Sequence, residues 1–382
     1  MLFLALKEVI TIKKILFGIT SLTLGGAERV LVDISNKLSE KYDITIFSIY
    51  DNGELKNDLN KNVKFKALYN CRYDELTKLQ KMWIPIKILL FSKIIYNKKI
   101  KQNYDTEIAF LEGPITRLFS TKNKDVHKIA WIHNDIEKVF GNDLKSKIKK
   151  YIDKKIYKKY NDLVFVSQDN MEKFQNIYND LNTENMHVIY NYIDKDLVIK
   201  KSNYNIKVEF DYNSINFLTV CRLVKQKAID RFIRVHRKLI KRGLKHKVYI
   251  IGDGPEKENL QKLIKQENVE DTFVLLGKKE NPYPYIKNAN YFCLLSEFEG
   301  YGMVLEEAKI LNKPIIITNT AARECIENYP KALILENSED EIYDGLYKLL
   351  NDNDDKIFNN TQTSTEYDNT EKLQKIIELV GD

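Results

Sequence analysis

Apolar residues in the first half of the chain fall into short runs of strand length, set between longer stretches that repeat at helical spacing. "KKILFGIT", "YDITIFSIY", "TEIAFLEG", "KIAWIHN" and "DLVFVS" are rich in β-branched and aromatic residues and read as strands, and Ala27 to Leu38 reads as a helix. Alternation of this kind predicts a parallel sheet with helices on both faces. The pattern then restarts. "INFLTVCRL", "KVYIIGDGP", "TFVLLG", "NYFCLLS" and "KPIIITN" read as strands, and Asp230 to Lys241 as a helix. The prediction is an α/β chain of two doubly wound domains joined near "VIYNYIDKD", and 382 residues are enough to fill two cores of ordinary size. The expected boundaries are 1–195 and 196–365. A terminal helix within 366–382 follows the polar tract "NDNDDKIFNNTQTSTEYDNTEK" and can cross back to the first domain.

One stretch combines both periods. In "SEFEGYGMVLEEAKILNKP", from Ser296, the loop Glu299-Gly300-Tyr301-Gly302 has no apolar repeat, whereas Met303, Val304, Leu305, Ala308 and Leu311 fall close to a helical one. With "YFCLLS" before it, the unit is strand, glycine loop, helix. Ligands of open α/β sheets collect at this edge, and the unpaired N–H groups of a helix start favour an anion such as phosphate. The carboxylates of Glu299 and Glu307 repel anions and accept hydrogen bonds, which suits sugar hydroxyls.

Candidate phosphate partners lie elsewhere. Arg222 and Lys227 in "VCRLVKQKAID" follow a predicted strand, where a cation can balance a diphosphate leaving group. Gly25-Gly26 in "TSLTLGGAERV" lets backbone approach a ligand, with Glu28 in the first helical turn, although a glycine pair also marks an ordinary tight turn. His133 in "AWIHND" follows a strand and is a candidate for a binding cleft. The other histidines, His127, His187, His236 and His246, have no metal-ligand spacing, and Asp194-Lys195-Asp196 lies at the expected hinge, where an acidic metal motif is out of place. "ILFGITSLTLGGAE" contains no G-x-G-x-x-G, which disfavours a dinucleotide dehydrogenase.

Charge and cysteines narrow the class further. Residues up to Lys195 carry 33 Lys and Arg against 24 Asp and Glu, a net +9, and the rest carry 28 against 30, a net −2, giving +7 for the chain. The basicity concentrates between Lys78 and Lys101, where no acid occurs, and between Lys145 and Lys159. A solvated lysine face is one reading. The other is attraction to an anionic membrane surface, with Trp83, Phe91 and Tyr96 as interfacial anchors in "MWIPIKILLFSKIIY", although Ile86 to Tyr96 projects no clean apolar face. No nucleic-acid-binding motif accompanies the lysines. Cys71, Cys221, Cys293 and Cys325 form no framework, and "MLFLALKEVITIKK" makes a poor signal peptide, so a cytoplasmic location is expected.

In order along the chain, "GGAERV", "WIHN", "VIYNYID", "CRLVKQKAID", "YIIGDGPEKENL" and "SEFEGYGMVLEEA" resemble the retaining GT-B glycosyltransferases of family 4, and the last is similar to that family's E-x7-E motif. The resemblance implies two Rossmann-like domains facing each other across a cleft. It implies that Glu299 meets hydroxyls of the donor sugar and Glu307 the ribose, while Gly300, Tyr301 and Gly302 at the helix start, with Arg222 and Lys227, hold the diphosphate. His133 would touch the sugar, and Gly25-Gly26 would close over the phosphates. The implied reaction moves a hexose or N-acetylhexosamine from a nucleoside diphosphate sugar, UDP in the first instance, to a hydroxyl of a saccharide acceptor that is lipid-linked. It needs no metal or other cofactor, retains the anomeric configuration by same-face attack, and serves bacterial surface polysaccharide synthesis at the inner face of the membrane. Cys221 and Ala228 stand where that family commonly has glycine, and "NTAAREC" replaces a glycine-rich turn before Glu324. A sugar-nucleotide epimerase or hydrolase on the same scaffold, and a non-catalytic partner subunit, are the alternatives.

Overall fold

The computed structural model describes residues 12–23, 25–100, 103–121, 123, 125–134, 144–351 and 367–381. The apolar start of the chain up to Thr11 and most of the polar tract before the terminal helix lie outside them. The chain divides into two compact units, Met1–Tyr192 with Thr370–Asp382, and Ile193–Asn369.

In the first unit β1 (Lys14–Ile19) leads into α1 (Gly26–Leu38), followed by β2 (Asp43–Tyr50), β3 (Lys64–Tyr69), α2 (Lys78–Lys99), β4 (Thr106–Ala109) and α3 (Pro114–Phe119). Then come β5 (His127–Ile132), α4 (Leu144–Tyr157), β6 (Asp162–Phe165), α5 (Gln168–Ile177) and β7 (Met186–Val188). Among the described residues these strands form a seven-stranded parallel sheet in the order β3-β2-β1-β4-β5-β6-β7. Ile15, Phe17, Ile46, Ile108 and Ile129 are wholly buried, as strands covered on both faces require. The order reverses between β1 and β4.

The second unit repeats the plan with α6 (Lys195–Ser202), β8 (Ile215–Val220), α7 (Ile229–Lys241), β9 (His246–Ile251), α8 (Lys257–Gln266), β10 (Phe273–Gly277) and α9 (Tyr283–Asn288). It continues through β11 (Tyr291–Leu294), α10 (Met303–Ile310), β12 (Ile315–Thr318), β13 (Ala332–Leu335) and α11 (Glu339–Asn351). Its strand order is β10-β9-β8-β11-β12-β13, again all parallel among the described residues, with the reversal between β8 and β11. The final helix, α12 (Thr370–Gly381), belongs to the first unit. It buries Ile376 and Val380 there, and Thr106 donates to the Val380 carbonyl at 3.3 Å.

α2 corrects one sequence reading. Ile84 and Ile88 are buried, while Leu79, Met82, Trp83, Leu90, Phe91 and Ile94 are exposed, so the helix is apolar on an inner and an outer side and shows no single apolar face. The backbone at Phe91 leaves helical geometry, which kinks it. Tyr96 is no interfacial anchor: its hydroxyl donates to Glu107, which lies 2.7 Å from Lys128 inside the protein. That buried ion pair, completed by a 2.8 Å bond from Lys128 to the Phe119 carbonyl, fixes the lower half of α2 to the sheet. Among the described residues no helix is long and apolar enough to cross a membrane.

Candidate active site

The second unit gathers its predicted residues at the reversal between β8 and β11, outside the carboxyl ends of both strands, where sheets of this order bind ligands. The chain leaving β8 makes a short turn at Lys225–Lys227 and enters α7 through Ala228. The chain leaving β11 carries Ser296 and the Glu299 loop. Backbone and side chain of Gln226 join the two loops, the Glu297 amide donating to the Gln226 carbonyl at 2.9 Å and the Gln226 amide to the Phe298 carbonyl at 2.9 Å. Lys227 pairs with Glu299, whose Oε1 also accepts from Ser296 at 2.5 Å. Glu299 is 7% exposed and Lys227 17%, so this pair is largely shielded from water, where Coulomb attraction is strong. Arg222 remains exposed and has no carboxylate partner among the described residues.

The loop is shaped by two further constraints. Gly302 has φ 72° and ψ 63° and starts α10 from the left-handed region, which glycine occupies without penalty. Tyr301 turns inward, 5% exposed, and its hydroxyl donates to Glu306, itself 1% exposed and 3.4 Å from Lys309. Tyr301 is thereby an anchor under the loop, and what it and Gly300 offer a ligand is backbone. Glu307 points the other way and accepts from the Tyr283 hydroxyl at 3.1 Å. On the β9 side, Gly252 has φ 148°, and a Cβ there would stand 1.8 Å from the Cys221 carbonyl oxygen, so only glycine lets these two loops close on each other. Burial pushes the Cys221 thiol up to about 12, which keeps it protonated and unreactive.

Gly25, Gly26 and His133 lie in the first unit, at the carboxyl ends of β1 and β5. Gly25 and Gly26 are exposed at the start of α1, but the Glu28 side chain folds back over them, with Oε2 only 2.1 Å from where a Gly25 Cβ would be. Burial raises the Glu28 pKa. A phosphate at this helix start therefore has to displace that carboxylate. The His133 ring packs 4.7 Å from Phe110 and stacks at 6.4 Å on Trp131, and its Nε2 is buried without a hydrogen-bond partner among the described residues. Burial pushes its pKa down to about 3, so it is a neutral imidazole at physiological pH and meets a ligand as a hydrogen-bonding group, without charge.

Sequence reasoning missed four partners. The His133 turn hangs on Glu112, which accepts from the amides of His133 at 2.8 Å and Asn134 at 2.7 Å and from the Asn134 side chain at 2.9 Å. Ser296 and Glu306 stood beside recognised residues and were legible as the polar end of "YFCLLS" and the second half of a Glu pair. Tyr283, 24 positions from Glu307, left no local signal. Asp194 caps α6, accepting from Leu197 at 2.9 Å, the ordinary role of such a residue. The remaining histidines sit apart from these loops: His127 and His187 flank Asp162 at 2.5 and 2.7 Å, and His236 and His246 share a 2.8 Å bond inside the second unit.

Residues 200–365 match the family described as Glycosyl transferases group 1. The chain is 28% identical over 342 residues to an N-acetylgalactosamine-N,N'-diacetylbacillosaminyl-diphospho-undecaprenol 4-alpha-N-acetylgalactosaminyltransferase of Campylobacter jejuni, covering 87% of this chain and 89% of that one. It is 24% identical to the O-antigen biosynthesis glycosyltransferase WclY of Escherichia coli, over 80% of each chain. The crystal structure of HepE from Anabaena, in complex with UDP and glucose, superposes with a TM-score of 0.72 at 15% identity over 97% of this chain and 99% of that one. The fold is GT-B, and the chain is a glycosyltransferase.

Proposed function

We propose that the protein transfers a hexose or N-acetylhexosamine, with retention, from a nucleoside diphosphate sugar, UDP being the first candidate, to a hydroxyl of a lipid-linked saccharide acceptor in bacterial surface polysaccharide synthesis. The observation that carries this reading is the Lys227–Glu299 pair between the β8 and β11 loops, with Arg222, exposed and without a carboxylate partner among the described residues, following β8 and α10 following β11. A diphosphate bound there meets Lys227, Arg222 and the first amides of α10, which balance the charge that develops as the sugar–phosphate bond breaks. Held by Lys227 and Ser296, Glu299 presents acceptor lone pairs to sugar hydroxyls in a fixed position. Glu307, steadied by Tyr283, does the same for ribose.

Retention follows if the acceptor hydroxyl attacks from the face the diphosphate leaves, its proton passing to the departing phosphate oxygen. No carboxylate nucleophile is needed, and Glu299, committed to Lys227 and Ser296, is placed to orient rather than to attack. Cations of the chain do the work that a divalent metal does elsewhere, so transfer proceeds without one. The relatives' names support the acceptor class, and the lysine-rich α2 with its exposed apolar side supports work at the surface of an anionic membrane. The test is a transfer reaction followed by proton NMR of the product, with and without excess chelator. An axial donor linkage should appear as an axial product linkage in both. Inversion, or loss of activity rescued only by manganese or magnesium, contradicts the reading.

A further inference from the structure

α4 carries lysines on two sides, and the two sides are treated differently. Lys154 and, just beyond the helix, Lys158 both pair with Asp180, at 2.6 and 3.1 Å. Lys155 and Lys159, one position further on, are exposed and meet no carboxylate among the described residues; Lys155 lies 4.3 Å over the ring of Tyr151. Like charges four apart on a helical turn repel each other, so this side gains from an anion that the protein itself does not supply.

These two lysines open onto a cleft of about 280 Å³ between α2, α3 and α4, lined by Leu89, Ser92, Arg117, Tyr151, Lys155 and Lys159 among others. Arg117 is held at 2.9 Å by Asp153, and that carboxylate is the one acid paired with the cleft's cations among the described residues. Two cations are left over for one small anion. Exposed apolar residues neighbour the lining in sequence: Tyr151 belongs to it, Ile148 lies one helical turn before Ile152 on α4, and Leu90, Phe91 and Ile94 lie within two positions of Leu89 and Ser92 on α2. Scattered exposed apolar residues mean little, but a set on the two helices that carry a cationic cleft marks a surface with a partner. A phospholipid supplies both chemistries, a phosphate for the cleft and an acyl region for the apolar residues.

We infer that the cleft between α2, α3 and α4 receives the phosphate of an anionic phospholipid headgroup on Lys155 and Lys159 while the apolar side of α2 enters the membrane surface. This rests on the membrane reading above and adds to it a defined headgroup site. Tryptophan emission reports the event directly, because the chain has two tryptophans, Trp83 57% exposed on α2 and Trp131 1% exposed in the core. The experiment titrates the full chain with vesicles of neutral phosphatidylcholine carrying either phosphatidylglycerol or, at matched surface potential, the carboxylate lipid cholesteryl hemisuccinate. The wild type should shift its emission to the blue on phosphatidylglycerol vesicles and bind them at least about fivefold more tightly than hemisuccinate vesicles, the scale of one additional charged contact at a membrane. The double variant Lys155→Gln/Lys159→Gln should lose that preference. Lys98→Gln/Lys99→Gln, an equal charge loss in the last turn of α2 and outside the cleft, should weaken binding to both vesicles alike and keep it. A wild type without preference, or two double variants that behave the same, overturns the cleft while leaving membrane docking intact. Emission and sedimentation unmoved by any anionic vesicle overturn both.

Discussion

Glu299 and Glu307 are eight positions apart and face different neighbours, and that difference is measurable. Glu299 shares its charge with Lys227 and Ser296, while Glu307 accepts from Tyr283 on another helix. If Glu299 reads the sugar, Glu299→Gln lowers transfer strongly and leaves affinity for the free nucleoside diphosphate almost unchanged. If Glu307 reads ribose, Glu307→Gln weakens nucleotide and sugar nucleotide together, by roughly 1 to 3 kcal/mol for a hydrogen bond to a charged group. Calorimetry of both variants with both ligands separates the roles, and identical profiles refute the division. The charged members of this site were legible because carboxylates and cations near strand ends have few structural uses. Glu112 was not, since nothing in "FLEGP" says that its carboxylate holds a turn more than twenty residues away.

At the scale of an element, the turn into α7 holds a residue that its backbone does not favour. Ala228 has φ 48° and ψ 37°, a left-handed conformation that costs an L-residue about 1 to 2 kcal/mol relative to glycine. Part of that returns through the greater freedom of glycine in the unfolded chain, so Ala228→Gly should stabilise the protein by up to about 1 kcal/mol in urea unfolding. A loss of stability of that size would mean the turn adopts another conformation. The family resemblance marks this position as one that lacks a glycine, but strain is a property of φ and appears only with the backbone. α2 shows the converse limit. Periodicity detects one apolar face, and a helix with two, one for the core and one for a partner, looks aperiodic.

For the molecule as a whole, two doubly wound units were legible because buried parallel strands spell continuous apolar runs, whereas strand order, and with it the reversal between β8 and β11, is not written in local pattern. The second unit also has a weak point in acid. There the Leu244 carbonyl accepts at 2.9 Å from His246 Nδ1, so His246 Nε2 must accept from His236 Nδ1 at 2.8 Å, and His236 Nε2 from Thr272 at 2.8 Å. Both rings are neutral, and burial pushes their pKa values down to about 2 for His236 and about 4 for His246. Unfolding frees them to bind protons near pH 6.5, so their stabilising contribution is full above that pH and is lost as pH falls toward 4, at up to about 1.4 kcal/mol per pH unit for each ring. Amide exchange in α7 and β9, corrected for intrinsic rate, should accelerate between pH 7 and pH 5; equal protection at both would contradict the neutral pair. The same method gives the most direct test of the claim that the β8–β11 edge of the second unit is the donor site. Exchange of the full chain with and without saturating UDP should slow at 221–228 and 297–308, the two loops joined by Gln226 and the start of α10. Absence of binding, or protection that leaves both segments unchanged, would contradict it.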